Sequence, residues 1–436
     1  MKYERAKIPN RSIANYTIIK TPKSKYYLSD ISSEIWGLLD GQNSIQEIKE
    51  QISISHPDIN VEDTVTRTLQ SFVDRDLLTL ESALPEVENP VLPKEGVNNK
   101  SLFAEIQKSY SDNKFIQKVD LELTYRCNLN CRHCYNTPAF QQELSTEEWK
   151  NAMDQLADMG CIDLAFTGGE VFVRKDFMEL LEYACKKEFS IRLKTNGTLI
   201  TKEIARQLSQ AKPYLVDVEI SMYGTTAATH DWFVQKEGRF DRIKESVKYL
   251  RDEDVFVVGK YLVMKQNFAE TFAIPQLIKD WGIRLVISGG SMIPRVDKDK
   301  STLDYMISDD EQRTLIEAFI KNSVSLPSPT NCNPAISRSA ITPNGDVTSC
   351  EWLSDISFGN LRDASLKDIW LDSSAINQFR SHQYAVSEEC RDCTVSQYCG
   401  RCPARAYLET GDPGGKSPIS CKIAQICTEV VNGAAI

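Results

Sequence analysis

The sequence lacks the features of a membrane or secreted protein. No apolar run reaches the roughly 18 residues that a membrane span needs, and the first residues, MKYERAKIPNRS, include no apolar segment of the signal-peptide kind. The net charge is −10, whereas a broad nucleic-acid surface requires clustered Lys and Arg. We therefore expect a cytoplasmic protein that binds neither nucleic acid nor membrane and whose partners are small molecules or peptides.

Cysteine is absent before Cys127, although the chain has 13 cysteines among its 436 residues. Six of them fall between Cys390 and Cys427, and the total is odd. In a secreted protein such a set would indicate a disulfide framework, but a large chain without a signal peptide more often keeps its thiols for metals. We therefore interpret most of the cysteines as metal ligands.

The remaining composition, with 41% hydrophobic and 26% charged residues, predicts a globular protein of two or three domains. The first domain, residues 1–84, is predicted to combine a hairpin with three amphipathic helices. The hairpin strands are NYTIIK and KYYLS, and Asp30 and Ser44 are candidate caps of the first two helices. The apolar stripes of the three helices are Ile31, Ile35, Leu38 and Leu39, then Ile45, Ile48 and Ile52, then Val61, Val65, Leu69, Phe72 and Val73.

Residues 85–117, rich in Pro, Gly and Asn, form a predicted linker, and strands then alternate with helices from 118 to 310. Six βα repeats with short loops imply a parallel sheet, either curled as a partial TIM-like barrel or open and doubly wound. In both forms functional side chains gather at the carboxyl ends of the strands. The predicted strands are VDLELT, IDLAFT, IRLKT, LVDVEISM, VFVVGKYLVM and RLVISGG, and the predicted helices cover 145–159, 176–187, 202–211, 240–251 and about 270–280.

Residues 311–436 show an irregular pattern, with Pro, Gly and Cys in loops and only short predicted helices such as SLKDIWLDS. Regions with so little apolar periodicity usually need bound metal or disulfide bonds to fold. The cysteines of this region can supply them.

Three cysteines follow the first strand of the βα series. The stretch CNLNCRHC places Cys127, Cys131 and Cys134 at C-x3-C-x2-C spacing. A structural zinc loop would need a fourth ligand, and chelation by His133, wedged between two of the cysteines, would strain the loop. A 4Fe-4S cluster held by only three cysteines instead has one iron that can bind a reactant.

Polar turns follow the next three strands: TGGE at 167–170, TNG with Asn196, and SMYG with Ser221. Glycines let the backbone approach a ligand closely, and a carboxylate beside them can accept an ammonium group. The same residue types are also common in ordinary turns. Their position at strand ends makes them candidates for a binding site.

CNLNCRHC at the end of the first strand of a βα series, followed by TGGE, resembles the radical S-adenosylmethionine (SAM) enzymes. The resemblance implies that Cys127, Cys131 and Cys134 hold a 4Fe-4S cluster whose remaining iron chelates S-adenosylmethionine, and that a 5′-deoxyadenosyl radical then abstracts a substrate hydrogen. The resemblance also implies that Gly168, Gly169 and Glu170 bind the methionine amino group. Asn196 and Ser221 are expected to reach the ribose and carboxylate, and His133 is expected to pack near the adenine. Related sequences often carry Arg shortly after an HD pair; HDWFV lacks it, so the carboxylate ligand stays open.

The C-terminal cysteines resemble the SPASM extension of these enzymes, which binds two auxiliary iron-sulfur clusters. Two motifs carry the resemblance: C-x12-G-x4-C, and C-x2-C-x5-C-x2-C followed by one more cysteine. In the family the last spacer of the second motif is usually x3 instead of x2. By spacing alone, the second motif could also be a zinc ribbon. The resemblance implies an outer cluster on Cys390, Cys393, Cys399 and Cys421, and an inner cluster on Cys332, Cys350 and Cys402. Cys427 or a substrate thiol could complete the inner cluster.

Residues 1–84 resemble the RiPP recognition element, with ISSEIWGLLDGQNSIQEI carrying most of the likeness. The resemblance implies that the leader of a precursor peptide adds as a strand to the exposed hairpin edge. A winged-helix fold with another task, such as DNA binding, is the alternative for this domain.

The whole chain is thus expected to be an α/β enzyme with a winged-helix-like recognition domain, a partial (βα)6 barrel and a SPASM domain. This architecture is similar to the sactipeptide and ranthipeptide maturases, which join a cysteine sulfur to a carbon of a precursor peptide and would need a flavodoxin- or ferredoxin-type reductant. Alternatives within the enzyme class are carbon-carbon crosslinking, epimerisation or decarboxylation of a peptide, or haem-type cofactor synthesis. A zinc-stabilised peptide-binding protein is the alternative outside it.

Overall fold

The computed structural model describes residues 2–13, 16–21, 25–79, 105, 108–110, 112, 114–136, 142–322, 324, 326, 334–383 and 388–434. Strands in these ranges are β1 (Lys2–Arg5), β2 (Asn10–Ile13), β3 (Tyr16–Lys20), β4 (Lys25–Ser29), β5 (Asp40–Ser44), β6 (Leu78–Thr79), β7 (Lys118–Thr124), β8 (Asp163–Gly168), β9 (Ser190–Thr195), β10 (Leu215–Met222), β11 (Val257–Tyr261), β12 (Arg284–Ile287), β13 (Arg338–Ile341) and β14 (Val347–Thr348).

Helices are as abundant as strands over the same ranges. They are α1 (Asp30–Leu38), α2 (Ile45–Ser55), α3 (Val61–Val73), α4 (Thr146–Asp158), α5 (Phe177–Lys186), α6 (Lys202–Gln210), α7 (Ala227–Val234), α8 (Arg239–Asp252), α9 (Ile274–Trp281), α10 (Asp309–Lys321), α11 (Leu366–Asp372), α12 (Ser374–Gln383), α13 (Glu388–Arg391), α14 (Pro403–Thr410) and α15 (Pro418–Ala434). None of these combines the length and apolar character that crossing a bilayer demands.

One eight-stranded sheet forms the centre of the fold, in the order β12-β11-β10-β9-β8-β7-β13-β14. Strands β7 to β12 are parallel and follow one another in chain order. A doubly wound sheet would reverse its strand order at a switch point; sequential order is that of a barrel arc. The predicted βα series is confirmed, and of the two sheet forms the order favours the partial barrel.

Alternation along β7 explains why the barrel has a charged interior. Val119, Leu121 and Leu123 point into the apolar core between sheet and helices, while Asp120 and Glu122 lie on the opposite face of the same strand and are fully buried.

Helix α4, which follows this strand, begins with a capping box in which Ser145 accepts from the Glu148 backbone and the Glu148 carboxylate accepts from the Ser145 backbone.

The C-terminal region is more regular than the sequence indicates. Strand β13 extends the barrel sheet by pairing parallel with β7, and α10 and α15 are full-length helices of 13 and 17 residues. The expectation of only short helices was wrong here. Ile419, Ile423, Ile426 and Val430 do form an i, i+4, i+7, i+11 stripe in α15, but intervening Cys and polar residues obscure it.

The N-terminal residues form two small antiparallel sheets, β2-β3-β4 and β5-β1-β6, with three helices. The hairpin β3-β4 and the capping of α2 by Ser44 are confirmed; β1, β2, β5 and β6 were not predicted. One face of β2-β3-β4 packs against α1 to α3, and the other packs on the barrel through Ile13, Ile18 and Ile162.

Polar contacts reinforce this docking. Arg11 donates to the backbone carbonyls of Cys161 at 2.8 Å and Lys187 at 2.7 Å. Lys20 forms an ion pair with Asp163 at the start of β8. The sheet β2-β3-β4 is therefore anchored to the barrel, and β4 is its last strand among the described residues.

Candidate functional site

The loop that carries the first three cysteines begins directly after β7. Cys127 is exposed, and Cys131 and Cys134 are half-buried. Burial raises the pKa of the Cys131 thiol, and the charges of Cys134 and Cys127 raise it further. Three thiolates this close would repel one another, so the donor set fits a soft cationic centre such as an iron-sulfur cluster.

The TGGE turn is fastened against this loop by backbone contacts. Gly169 donates its N–H to the Thr124 carbonyl at 2.7 Å, and Glu170 donates to the Arg126 carbonyl at 3.0 Å. A Cβ on Gly168, which has φ +132°, would stand 2.2 Å from the Thr124 oxygen, and one on Gly169 would stand 2.4 Å from the Arg126 oxygen. Both positions therefore require glycine, because any side chain would push the turn away from the cysteine loop.

Glu170 is fully buried and joins the second strand end to the third. Its carboxylate accepts from the Thr195 hydroxyl at 2.8 and 2.9 Å, from the Asn196 backbone at 2.8 Å and from the Phe172 backbone at 3.2 Å. Burial raises the pKa of Glu170, and these hydrogen bonds oppose that rise. A carboxylate can accept about four hydrogen bonds, and within the described residues three donors contact this one and hold the turn against the end of β9.

Asn196 connects the end of β9 to the cysteine loop. Its amide nitrogen donates to Asn128 Oδ1 at 2.9 Å and lies 3.8 Å from Cys127 Sγ, while its amide oxygen accepts from the Thr198 backbone at 2.9 Å. Ser221 is half-buried on β10, one strand further, opposite Lys260 of β11. The predicted polar positions therefore follow the carboxyl edge of the sheet in strand order.

The His133 ring turns inward from the cysteine loop into an aromatic cluster. It is 8% exposed, with its centroid 4.2 Å from that of Tyr223 and 5.6 Å from that of Phe233. Burial lowers the pKa of His133 to about 3, and the nearby His230 contributes. Nδ1 of His133 has no hydrogen-bond partner among the described residues. The ring is therefore neutral and is packed as an aromatic group.

Two groups of C-terminal cysteines lie close enough for their thiols to shift one another's pKa. Cys390, Cys393 and Cys399 interact electrostatically with Cys421, and Cys402 does so with Cys350, whose pKa is raised mainly by burial. Cys332 lies outside the described residues. Cys427 is buried in an apolar cluster with Ile316, Ile426 and Val430, as a core residue would be.

The described ranges contain no group of three or more His, Cys, Asp or Glu side chains gathered tightly enough to hold a single metal ion. The assignment of the cysteines therefore depends on their sequence pattern and on the electrostatic contacts between their thiols.

A charged network inside the barrel was missed from the sequence. Lys194 Nζ lies 3.0 Å from Asp120 Oδ1 and 2.7 Å from Glu351 Oε2, and Arg338 donates to Asp120 at 2.6 Å. Glu122 accepts from the Tyr125 hydroxyl at 3.2 Å, while its Oε1 has no partner in the described ranges. The alternation of KVDLELT, with charge at every second residue, was the signal that could have revealed it.

Comparison with known families assigns both cysteine regions. The Radical SAM superfamily profile matches residues 121–274, and the profile of the SPASM iron-sulfur cluster-binding domain matches residues 332–394. The first match includes the cysteine loop and the strand-end turns up to α9. The second begins at Cys332 and ends just after Cys393.

Curated relatives match about two thirds of the chain. The subtilosin biosynthesis protein AlbA of Bacillus subtilis is 30% identical over 64% of this chain and 66% of its own length. The mycofactocin maturase MftC of Mycobacterium tuberculosis is 30% identical over 67% of this chain and 79% of its own. The AdoMet-dependent heme synthase of Nitratidesulfovibrio vulgaris is 28% identical over 68% and 90%. This chain thus spans about two thirds of the length of AlbA.

Solved structures match over nearly the whole chain. SuiB of Streptococcus suis, crystallised with S-adenosylmethionine, has a TM-score of 0.62 at 17% identity and covers 96% of this chain and 99% of its own. SuiB bound to its precursor peptide SuiA gives a TM-score of 0.63 with the same coverage. At this identity the likeness establishes the fold, including the N-terminal sheets.

Proposed function

We propose that this chain modifies a ribosomally synthesised precursor peptide by forming a thioether between a cysteine sulfur and a carbon of another residue. The basis of the proposal is that the chain belongs to the radical SAM superfamily and carries its SPASM extension. Its cofactors are S-adenosylmethionine, a 4Fe-4S cluster and auxiliary iron-sulfur clusters. When bound, they supply a 5′-deoxyadenosyl radical that removes a substrate hydrogen. Support for a peptide substrate comes from the three-part fold shared with SuiB, which was solved with its precursor peptide, and from the position of β4 at one end of its sheet within the described residues.

We assign the first cluster to Cys127, Cys131 and Cys134. The nucleotide would lie along the carboxyl edge of the sheet, with its amino group at the TGGE turn of Gly168, Gly169 and Glu170. Asn196 and Ser221 follow in strand order toward the ribose and carboxylate. The neutral, buried ring of His133 offers an apolar wall for the adenine.

Two auxiliary clusters complete the proposed enzyme. Cys390, Cys393, Cys399 and Cys421 would hold the outer cluster, and Cys332, Cys350 and Cys402 the inner one. Since Cys427 packs in an apolar cluster, a substrate thiol is the better candidate for the fourth inner position. Thioether closure would remove two hydrogens from the peptide, one as an atom and one as a proton, and an auxiliary cluster held by these cysteines would be the acceptor for the remaining electron.

The proposed domains are a recognition element over 1–84, a linker over 85–117, the barrel over 118–310 and the SPASM domain over 311–436. A leader peptide would add as a strand to the outer edge of β4. Hydrogen exchange tests this directly, because strand addition protects backbone amides of Lys25–Ser29. Deleting residues 1–84 would be a poorer test, since it would expose the barrel surface around Ile162, which the small sheet covers.

Anaerobic reconstitution tests the enzyme class. We expect roughly 8 to 12 iron atoms per chain, from two or three four-iron clusters, and little zinc. Cys127→Ala should abolish release of 5′-deoxyadenosine, while Cys185→Ala, at a half-buried cysteine on α5, should retain it. Undiminished release by Cys127→Ala would overturn the cluster assignment.

Mass spectrometry of a precursor peptide encoded beside this chain separates the possible reactions. A thioether or carbon-carbon crosslink lowers the mass by two hydrogens, and only the thioether blocks alkylation of the cysteine. Epimerisation leaves the mass unchanged and decarboxylation removes carbon dioxide. The heme synthase relative makes a small cofactor precursor the second candidate substrate; in that case the peptide would leave amide exchange in β4 unchanged.

A further inference from the structure

Arg405 is a half-buried cation that lies near cysteines of both C-terminal sets. It lies on α14, three residues after Cys402. Its guanidinium donates to Ser291 Oγ at 2.9 Å and to Ser420 Oγ at 3.4 Å, so it connects the end of the barrel with α15, next to Cys421. Its Nε is buried without a partner among the described residues.

Within the described ranges no carboxylate forms a direct ion pair with this guanidinium. The hydrogen-bond partners of Arg405 are uncharged hydroxyls, and burial lowers its pKa. A buried guanidinium is costly unless an anion accompanies it. The negative groups that stabilise it are, in order of strength, the Cys402 thiol, the Glu409 carboxylate and the Cys399 thiol.

Glu409 does not serve as a dedicated partner for the guanidinium. Its carboxylate oxygens accept from the Ser417 hydroxyl at 3.1 Å and from the Ile419 backbone at 3.2 Å. The remaining compensation therefore comes from Cys402 of the inner set and Cys399 of the outer set, both of which would be thiolates when they ligate iron.

We propose that Arg405 is the shared counter-cation of the two auxiliary iron-sulfur clusters and that its fixed charge raises their reduction potentials. This inference depends on the auxiliary clusters of the proposed function. A positive charge stabilises the reduced form of a cluster, because reduction adds one negative charge nearby. It would favour transfer of one electron from the carbon radical of the peptide to an oxidised cluster as the carbon-sulfur bond forms and the thiol proton leaves to water.

A redox titration followed by electron paramagnetic resonance tests the proposal without peptide or S-adenosylmethionine. The background protein would carry Cys127→Ala, Cys131→Ala and Cys134→Ala, so that only auxiliary clusters are observed. Arg405→Gln should lower the reduced fraction at a fixed potential about tenfold, equal to about 59 mV for a one-electron couple. Arg405→Lys should keep most of the wild-type potential. Arg313→Gln, which removes an exposed cation on α10 paired with Glu429, should leave it unchanged.

The proposal would be overturned if Arg405→Gln contained the full amount of iron and its clusters kept the midpoint potentials of the wild type. If this variant fails to load iron, thermal unfolding of the cluster-free proteins decides instead. A counter-cation whose anion is missing destabilises the protein, so cluster-free Arg405→Gln should melt at or above the melting temperature of cluster-free wild type. A lower melting temperature of the variant would show that Arg405 has only a structural role. If the wild-type protein carries no auxiliary iron-sulfur clusters, the proposal about Arg405 is refuted. The assignment of the first cluster is tested independently, by the release of 5′-deoxyadenosine.

Discussion

The amide nitrogen of Asn196 lies 3.8 Å from the sulfur of Cys127. The two residues follow different strands, β9 and β7, with β8 between them. The contact therefore connects two non-adjacent strand ends across the TGGE turn. It also places a hydrogen-bond donor beside a proposed cluster ligand, which is one way a protein adjusts the potential of an iron-sulfur cluster.

Asn196→Ala should lower the reduction potential of the first cluster and loosen the loop that holds it. The substitution removes the donor to Cys127 and the bond to Asn128, at a cost of about 1 kcal/mol in stability per lost hydrogen bond. Electron paramagnetic resonance of the reconstituted protein measures the potential. Asn322→Ala is the matched control and should behave as wild type, because this residue follows the exposed end of α10 and, among the described residues, its side-chain amide bonds only to the Ala318 carbonyl.

Gly169→Ala should cause a larger defect, because its Cβ would meet the Arg126 carbonyl at 2.4 Å. The backbone must move to relieve that contact, and the TGGE turn then separates from the cysteine loop. We expect loss of iron from the first cluster and a lower melting temperature. Gly37→Ala on α1 adds the same methyl group where nothing lies within 4 Å, and should be neutral or stabilise by up to about 1 kcal/mol. A Gly169→Ala protein with full iron would contradict this view of the turn.

How far the sequence determined the structure differs between barrel and flanks. The six parallel strands and the strand-end positions of Cys127, Glu170 and Asn196 followed from periodicity, since each strand is a short apolar run before a turn. Helix α15 was missed because its apolar stripe carries cysteines and hydroxyls, and β13 because its pairing with β7 spans more than 200 residues. The alternation of KVDLELT signals buried charge on β7, but the contacts of Lys194 with Asp120 and Glu351 join distant parts of the chain and depend on tertiary geometry.

Asp120→Asn should be strongly destabilising, by about 3 to 5 kcal/mol, because it leaves Lys194 and Arg338 short of a buried anion. Glu122→Gln is the matched control, since it lies on the same face of the same strand and is equally buried. Burial, together with the charge of Glu351, raises the pKa of Glu122 well above its usual range and so favours the protonated carboxyl, and its amide analogue should cost less stability than the loss of the Asp120 charge. Denaturation of both variants measures the difference, and equal losses would refute the charge assignment.

Asp120 also predicts how the barrel responds to acid. Burial alone would raise its pKa, but Lys194 and Arg338 outweigh that effect and hold the pKa well below the usual value. A depressed folded-state pKa adds stability that is complete above the unfolded value of about 3.9 and is lost as the pH falls below it. Wild type should therefore lose stability steeply below about pH 4, and Asp120→Asn, already weakened, should show a shallower slope there.

His230 should control stability at higher pH, between about 4 and 6.5. It is 1% exposed, its Nδ1 accepts from the Tyr223 backbone at 3.3 Å, and burial lowers its pKa to about 4. The unfolded chain binds a proton below about pH 6.5 whereas the folded protein does not, so stability falls with decreasing pH across this window, by up to about 3 kcal/mol.

Thermal unfolding from pH 4.5 to 7.5 measures this slope in His230→Phe, which keeps a ring beside Tyr223 but cannot take up a proton. The variant should lose part of the dependence on pH, whatever its stability at neutral pH. The exposed His382, whose Nε2 lies 2.8 Å from Asp412 Oδ1, provides the control, because His382→Gln removes a histidine from the surface instead of the interior. If His230→Phe retained the full wild-type slope, a different group would have to be responsible for the loss of stability in acid.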